Sequence, residues 1–424
     1  MMRAAFTLTA LLLAVVAAAP SRAADAPADN VIEQLQQKLD SGALTLDFSG
    51  SKEGYLVSLL KALNISPDSQ LLVFSASSLQ FDRISQKTPR ALYYQDNVAV
   101  GTVQNGRFIE IIAQDRKTGV AFYTLDIHKA DKPEFVRRTS ECLGCHGFAT
   151  RWAPGMMVAS YDTGPNGQVL NLDPNNLFFL TDDRTPFDAR YGGWYVTGQT
   201  GAMKHRGNVT FDPAKPGDVP PGGLNIASLA DRIDTSRYLE PGSDIVSLLT
   251  LEHQAGLVNL VAQINGQYAS LDKGTGARVP AKASDIEESI TSLVAYMTFA
   301  DEVPLPSPVK GSSTFTGSFA AQGPHDGKDR GLRQFDLNTR LFRYPLSYMI
   351  YSQAFDDLDR RAKDKVYRRL YDALSGTSRP GDLAMLKDRD GAAAINILAA
   401  TKKGLPDFWQ PVRETASGGL VHRR

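Results

Sequence analysis

The fold is decided by five short runs of sequence: LLVFS (71–75), ALYYQ (91–95), NVAVGTV (97–103), RFIEIIAQD (107–115) and VAFYTLDI (120–127). Each run is rich in β-branched and aromatic residues, a composition typical of strands. Turn-forming residues separate several of the runs, namely Asp96-Asn97, Asn105-Gly106 and Lys117-Thr118-Gly119. We therefore predict an antiparallel sheet within a β-rich part that covers residues 70–133.

Helical periodicity lies on both sides of this β-rich part. Before it, apolar residues recur at helical spacing in 31–39 and 56–63, which predicts a helical N-terminal segment over residues 24–69. After it, the same spacing predicts three longer helices, at 243–264, 284–299 and 355–374.

The sequence between the motif region and the first long helix, to about residue 232, is dense in Gly, Pro, Asp and Asn. Long irregular stretches of this kind are usually functional or wrapped around another group. The predicted fold class is therefore α+β, with a β-rich N-terminal part, an irregular middle and a mainly helical C-terminal part over residues 276–424.

One short motif carries the chemistry: Cys142-Leu143-Gly144-Cys145-His146, a C-x-x-C-H sequence typical of c-type haem attachment. On one helical turn the two thiols can each form a thioether with a haem vinyl group. The imidazole that follows can then bind the iron as its proximal ligand. The motif predicts one covalently bound haem c, with Cys142, Cys145 and His146 as its attachment residues and residues 134–275 as its binding region.

Three other interpretations of the motif were weighed. A zinc site needs a second pair of ligands, and the chain has only these two cysteines. A thioredoxin-like redox pair belongs at the end of a strand in a βαβ pattern, which the flanking sequence lacks. A plain disulfide between Cys142 and Cys145 remains open.

The first residues have the pattern of an export signal. Arg3 supplies a positive charge, residues 4–19 form an apolar run, and Ser21-Arg22-Ala23 places small residues at a cleavage site. We predict a cleavable signal peptide over residues 1–23 and a periplasmic location. No membrane span is predicted in the mature chain.

Composition narrows the classes of partner. Of 424 residues, 42% are hydrophobic and 22% are charged, which is ordinary for a globular protein. Basic and acidic residues balance at 46 each, so net charge gives no reason to expect nucleic acid as a partner.

The ligand on the other side of the iron decides between electron transfer and catalysis, because a strong sixth ligand favours electron transfer. His253 lies on the apolar face of a predicted helix, and His205 lies in a turn-rich loop. We predict that one of these two histidines is the distal ligand. A core role for His253 and a surface role for His205 are the alternatives, and thioethers are further candidates, at Met156, Met157 and Met203.

Aromatic and basic residues near the motif are weaker candidates. Trp152, Trp194 and Tyr195 are placed to pack on the porphyrin or simply in the core. Three arginines flank the motif as propionate partners or as ordinary surface charges: Arg137, Arg138 and Arg151.

The chain resembles a family of large exported proteins that carry one C-x-x-C-H motif and are described as cytochrome c domain-containing. The resemblance rests on segments spread over most of the mature chain: 78–101 (SLQFDRISQKTPRALYYQDNVAVG), 135–147 (FVRRTSECLGCHG), 190–198 (RYGGWYVTG), 204–208 (KHRGN), 243–254 (SDIVSLLTLEHQ) and 339–352 (TRLFRYPLSYMIYS). It implies haem c and export, and no particular substrate. His205 and His253 both fall within matching segments.

These observations predict an exported single-haem c-type protein whose role is electron transfer with a redox partner protein. The alternative is a haem-dependent oxidoreductase, peroxidase- or oxygenase-like, that acts on a small molecule. A third interpretation is a sensor or binding module built around the haem.

Overall fold

The computed structural model of the protein describes residues 29–50, 53–147, 149–170, 179–215, 218–273, 281–377 and 391–414. The predicted signal peptide, residues 1–23, lies outside these residues. Strands occupy the N-terminal half and helices the C-terminal half, so the predicted α+β class is confirmed.

Two short helices precede the sheet: α1 (Val31–Asp40) and α2 (Leu56–Ala62). Asn30 caps α1, because its side-chain oxygen accepts hydrogen bonds from the backbone N–H groups of Ile32 and Glu33. The same amide donates to Asp115 Oδ2 at 2.7 Å and to the Tyr123 hydroxyl at 2.9 Å. The start of α1 is thereby fastened to the sheet.

The sheet has six antiparallel strands arranged in the order in which they occur in the chain. They are β1 (Leu71–Val73), β2 (Arg90–Gln95), β3 (Val98–Thr102), β4 (Phe108–Asp115), β5 (Gly119–Asp126) and β6 (Phe135–Arg138). The antiparallel sheet predicted from residues 71–127 is confirmed. Strand β6 lies beyond the predicted runs and was not predicted.

Both faces of this sheet are buried, each in a different hydrophobic core. One face packs on α1 and α2, and its residues include Tyr93, Val100, Ile109, Ile111 and Tyr123. The other face packs toward the C-terminal helices, and its residues include Val73, Tyr94, Ala99, Val120 and Phe122. Double burial explains why the strands read as nearly continuous apolar runs and do not alternate with polar residues.

The described C-terminal half contains the helices α4 (Ile245–Lys273), α5 (Ala283–Met297), α6 (Phe315–Ala320), α7 (Gln353–Asp356), α8 (Arg360–Ser375) and α9 (Gly391–Thr401). Helix α3 (Ser140–His146) precedes these helices and carries the C-x-x-C-H motif. The prediction of one helix over residues 355–374 is wrong, because a non-helical segment separates α7 from α8. Asp359 has extended backbone and caps α8, its side chain accepting from Arg361 N.

Helix α4 is the central helix of this half. Within the described part of the chain, only its segment Ile245–Asp272 is long and apolar enough to cross a membrane. Most of that segment is buried inside the protein, including 89% of its most apolar window. A core helix of a globular protein has the same length and composition.

The middle of the chain, residues 149–170 and 179–215, wraps between the sheet and α4 with little regular structure. It contains β7 (Gly198–Gln199), which pairs with β8 (Lys310–Gly311). Asn208 holds part of this loop structure together, since its side chain accepts from Val196 N and donates to the carbonyls of Val196 and Gly223.

Candidate functional site

The C-x-x-C-H motif lies on the short helix α3 (Ser140–His146), which follows edge strand β6 after one residue. Because β6 pairs with β5, α3 is anchored beside the sheet. Cys142 is half-buried and Cys145 is exposed, and neither thiol is joined in a disulfide. The helix therefore displays one thiol toward the interior and one toward solvent.

All three motif side chains line one cavity of about 350 Å³. That volume is within the range of small-molecule and cofactor pockets. The sheet face that packs toward the C-terminal helices forms the floor of the cavity, with Leu92, Tyr94, Ala99, Ile112 and Phe122. The irregular middle and α4 provide the opposite wall, with Met156, Met157, Val158, Trp194 and Leu251. The motif thus opens onto a mostly apolar space between the sheet and the loops.

His146 is oriented by one hydrogen bond. Its Nδ1 lies 2.9 Å from the Gly155 carbonyl oxygen, and a carbonyl only accepts, so Nδ1 carries the proton and donates. The other nitrogen, Nε2, is then the unprotonated one. The Phe122 ring packs against the imidazole, with the ring centroids 4.7 Å apart. This is the tautomer and support that a metal-binding histidine requires.

Burial also keeps His146 neutral. Desolvation lowers the pKa of His146 to about 4, more than its hydrogen bond to Gly155 raises it. The imidazole is therefore uncharged at neutral pH. A metal ion binds neutral imidazole without having to displace a proton.

Close packing holds the carbonyl that orients His146. A Cβ added at Gly155 would lie 2.2 Å from the side-chain oxygen of Asn259 on α4, so only glycine fits there. Asn259 in turn accepts from Met156 N at 2.8 Å and donates to Met156 O at 2.9 Å. Helix α4 therefore sets the position of the loop that aims the motif histidine.

The two thiols differ in environment. Burial raises the pKa of Cys142 to about 11, and the carboxylates of Glu110 and Glu141 add to that rise. Cys142 is therefore a protonated thiol at neutral pH. A protonated thiol is a poor nucleophile toward disulfides, so this pocket protects Cys142 from thiol–disulfide exchange.

An ion pair that the sequence analysis missed lines the same cavity. Arg90 on β2 and Glu110 on β4 meet with Nη1 and Oε2 3.1 Å apart. The available sequence signal was a charged residue, Arg90 or Glu110, next to apolar residues in each of two mostly apolar strands. Sequence alone does not show that both project from the same face of the sheet.

His253 is not among the residues that line this cavity, and its role as an iron ligand stays a prediction that the geometry does not favour. Its Nδ1 lies 2.8 Å from Asp183 Oδ2, and its Nε2 lies 2.7 Å from Ser347 Oγ. The ring is fully buried and stacks on Tyr296 with an interplanar angle of 1°. Both nitrogens are occupied, so His253 is a core histidine satisfied by hydrogen bonds. The Ser347–His253–Asp183 chain resembles a hydrolase triad, but Ser347 is fully buried and has no access to a substrate.

His205 is also outside the cavity lining, and its role as a ligand stays a prediction. It is buried, and its Nδ1 accepts a hydrogen bond from Gly207 N at 3.1 Å. Unlike the Nε2 of His253, its buried Nε2 has no hydrogen-bond partner among the described residues. The Tyr191 ring packs edge-on against it, with centroids 5.7 Å apart. The irregular loops enclose this histidine within the middle of the chain, although its sequence was compatible with a surface turn.

Some of the remaining candidate residues line the cavity and others do not. Met156, Met157 and Trp194 line it, whereas Met203 is buried in the core and Tyr195 packs on Phe74 in the core on the other face of the sheet. The flanking arginines are engaged elsewhere: Arg137 with Glu33, Arg138 with Glu141, and Arg151 over the Trp152 ring.

Comparison with known proteins found no matching family model, no similar curated protein and no similar solved structure. Among the described residues, no group of three or more His, Cys, Asp and Glu side chains is arranged to hold a metal ion.

Proposed function

We propose that the protein binds one haem c covalently in the cavity beside α3 and serves in electron transfer outside the cytoplasm. One observation carries the proposal: Cys142, Cys145 and His146 all line the same apolar cavity of about 350 Å³. Cys142 and Cys145 form the two thioethers, and His146 Nε2 is the proximal ligand. A haem held there supplies a one-electron redox centre.

The surroundings of the motif suit exchange of electrons with a protein partner. Helix α3 presents Glu141, Gly144 and Cys145 to solvent, while Cys142 faces the interior. A haem joined to Cys145 would be held close to the surface of the protein, where a redox partner could approach. The apolar floor and wall keep water from the rest of the group, which stabilises its binding.

The distal ligand in this proposal is a methionine, since Met156 and Met157 both line the cavity. A methionine thioether bound to the haem iron would favour electron transfer over binding of a small molecule. Replacing each methionine by alanine tests this assignment. One of the two variants is expected to lose the low-spin absorbance and electron paramagnetic resonance signals, and the other is expected to keep them.

Covalent attachment is the first experiment. The full chain is produced in a host that matures c-type cytochromes and is denatured, and haem is then detected on the separated polypeptide. Wild-type protein is expected to retain haem, and the C142A/C145A variant to lose it. The H128A variant, which changes an exposed histidine, is the control and is expected to retain haem. Colourless wild-type protein with free or disulfide-bonded cysteines would contradict the proposal.

The N-terminus of the same purified protein tests export. Cleavage after Ala23 predicts a mature chain that begins at Ala24. An intact Met1 on the haem-containing protein would contradict a cleaved signal.

A haem-dependent oxidoreductase is the second candidate, and the composition of the cavity favours it. Among the described residues, His146 is the one histidine that lines the space, so no second imidazole closes it. If neither Met156 nor Met157 binds iron, the sixth position accepts a small molecule. High-spin ferric protein that binds cyanide readily would support this candidate over electron transfer.

A further inference from the structure

Arg90 and Glu110 form the charged part of a cavity that is otherwise mostly apolar. They lie on strands β2 and β4, with β3 between them, and still meet at 3.1 Å. Their side chains are only 18% and 14% exposed. Removing two charges from solvent costs desolvation free energy. Their presence on the floor of the proposed haem cavity therefore points to a role in binding.

Gly101 on β3 makes the pairing across the sheet feasible. It pairs directly with Glu110 in the sheet register. A Cβ at this position would lie 3.1 Å from Leu92 Cδ2, and 3.7 Å from both Arg90 Cδ and Glu110 Oε2. The missing side chain leaves room above β3 in which the long side chains of Arg90 and Glu110 meet.

The Arg90 guanidinium uses only one of its edges as a hydrogen-bond donor to Glu110. Its Nη1 donates to Glu110, but its Nε is buried and has no hydrogen-bond partner within the described residues. The Nε–Nη2 side of a guanidinium presents two parallel donors, a geometry that matches a carboxylate. Glu110 Oε1 is also buried and has no hydrogen-bond partner among the described residues. The pair thus fixes Arg90 and leaves its bidentate side available.

We propose that this side of Arg90 binds a propionate carboxylate of the haem, with Glu110 as the residue that positions Arg90. The inference rests on the proposed function and deepens it. Arg90, Glu110 and the three motif residues line the same cavity, so a group attached through Cys142 and Cys145 would share that space with the Arg90 guanidinium.

The test measures carboxylate recognition by the apo chain with its thiols reduced. Haemin and haemin dimethyl ester, which lacks free carboxylates, are titrated separately and binding is followed by absorbance. Wild-type protein is expected to bind haemin at least tenfold more tightly than the ester. The R90Q/E110Q variant removes both charges together, which avoids a lone buried charge, and is expected to bind the two porphyrins with a ratio near one.

Two matched measurements keep the result interpretable. The R116Q variant removes an exposed arginine that pairs with Asp357 and is expected to keep the wild-type preference. Circular dichroism of R90Q/E110Q establishes that it folds, and R90K is the substitute if it does not. R90K keeps the charge without the planar fork and is expected to lose most of the preference.

Three results would overturn the inference. One is equal binding of the two porphyrins by wild-type protein, and another is an unchanged preference in R90Q/E110Q. The third is stabilisation of the wild-type chain alone by acetate with no preference between porphyrins, which assigns Arg90 to a free carboxylate ligand. If covalent haem forms in the cell while any of these holds, only this inference fails. If no haem binds at all, the proposed function fails with it.

Discussion

At the scale of single residues, His205 carries a pH dependence. Burial lowers the pKa of His205 to about 4 from an unfolded value near 6.5. Between those values the unfolded chain binds a proton that the folded chain does not. The free energy of unfolding of the apo protein should therefore fall as the pH decreases from about 6.5 to about 4. The loss due to His205 is about 3 kcal/mol.

Urea unfolding of wild type and the H205N variant over this pH range checks the expectation. Asn keeps an acceptor near the position of Nδ1 for Gly207 N but does not titrate. The difference between the two curves removes the contributions of His146 and the carboxylates. Parallel curves for the two proteins would show that His205 does not titrate as described.

A second residue-scale prediction concerns His253. The H253A variant leaves Asp183 and Ser347 without their buried partner, which should lower the free energy of unfolding by about 3 kcal/mol. The absorbance spectrum of the folded, haem-loaded variant should equal that of wild type, because His253 does not line the cavity and both of its ring nitrogens have hydrogen-bond partners. A change from low-spin to high-spin iron in H253A would instead support His253 as a ligand.

At the scale of elements, helix α4 depends on close approach of the loop that carries Trp152. A Cβ at Gly266 would lie 2.7 Å from Trp152 Cβ and 2.9 Å from its carbonyl oxygen. Alanine is the better helix former by about 1 kcal/mol. Overpacking against backbone nevertheless costs about 1–3 kcal/mol. We therefore expect G266A to lower the free energy of unfolding in chemical denaturation.

Gly317 in helix α6 is the matched control for that substitution. A Cβ there meets no atom within 4 Å, so G317A is expected to leave stability unchanged or to raise it. Equal effects of G266A and G317A would show that contact with Trp152 does not limit α4.

Helices and strands were predictable from the sequence wherever the local pattern of residues specifies them. The five apolar runs became strands because β-branched and aromatic residues between turns have few other structures available. Strand β6 escaped prediction because its sequence, FVRR, is short and half basic; as an edge strand it pairs only with β5. The break between α7 and α8 was missed because helical spacing continues across it, and only the N-cap Asp359 marks where the second helix begins.

Only those residues of the site that are close together in sequence were predictable. Cys142, Cys145 and His146 belong to one short motif, which identified them. Arg90 and Glu110 come together only when β2, β3 and β4 are in register, which composition does not specify. Helical periodicity correctly placed His253 in the interior, but its partners Asp183 and Ser347 come from distant loops.

At the scale of the whole molecule, the sheet lies between two hydrophobic cores, and the cavity is a space within one of them. A core with an unfilled space of about 350 Å³ loses packing contacts along its lining. The haem-free C142A/C145A protein should therefore unfold at a temperature several degrees below the haem-loaded wild type.

Calorimetry of the two proteins checks this expectation, and limited proteolysis locates the change. Cleavage of the haem-free variant should concentrate in residues 149–161, which form the wall opposite the sheet, and leave the sheet intact. Equal melting temperatures would show that the cavity wall does not depend on the bound group.

The wall of the cavity also has a consequence for the order of assembly. Its floor and its motif come from the first part of the chain, but Leu251 and the Asn259 that steadies Gly155 belong to helix α4. A polypeptide translocated with its N-terminus leading delivers Cys142 and Cys145 well before that helix emerges. If the chain is exported and receives haem as proposed, both sulfurs would be reachable during this interval by the enzymes that attach haem. Packing of α4 against the sheet would then complete the cavity wall around the attached group and end the assembly of the protein.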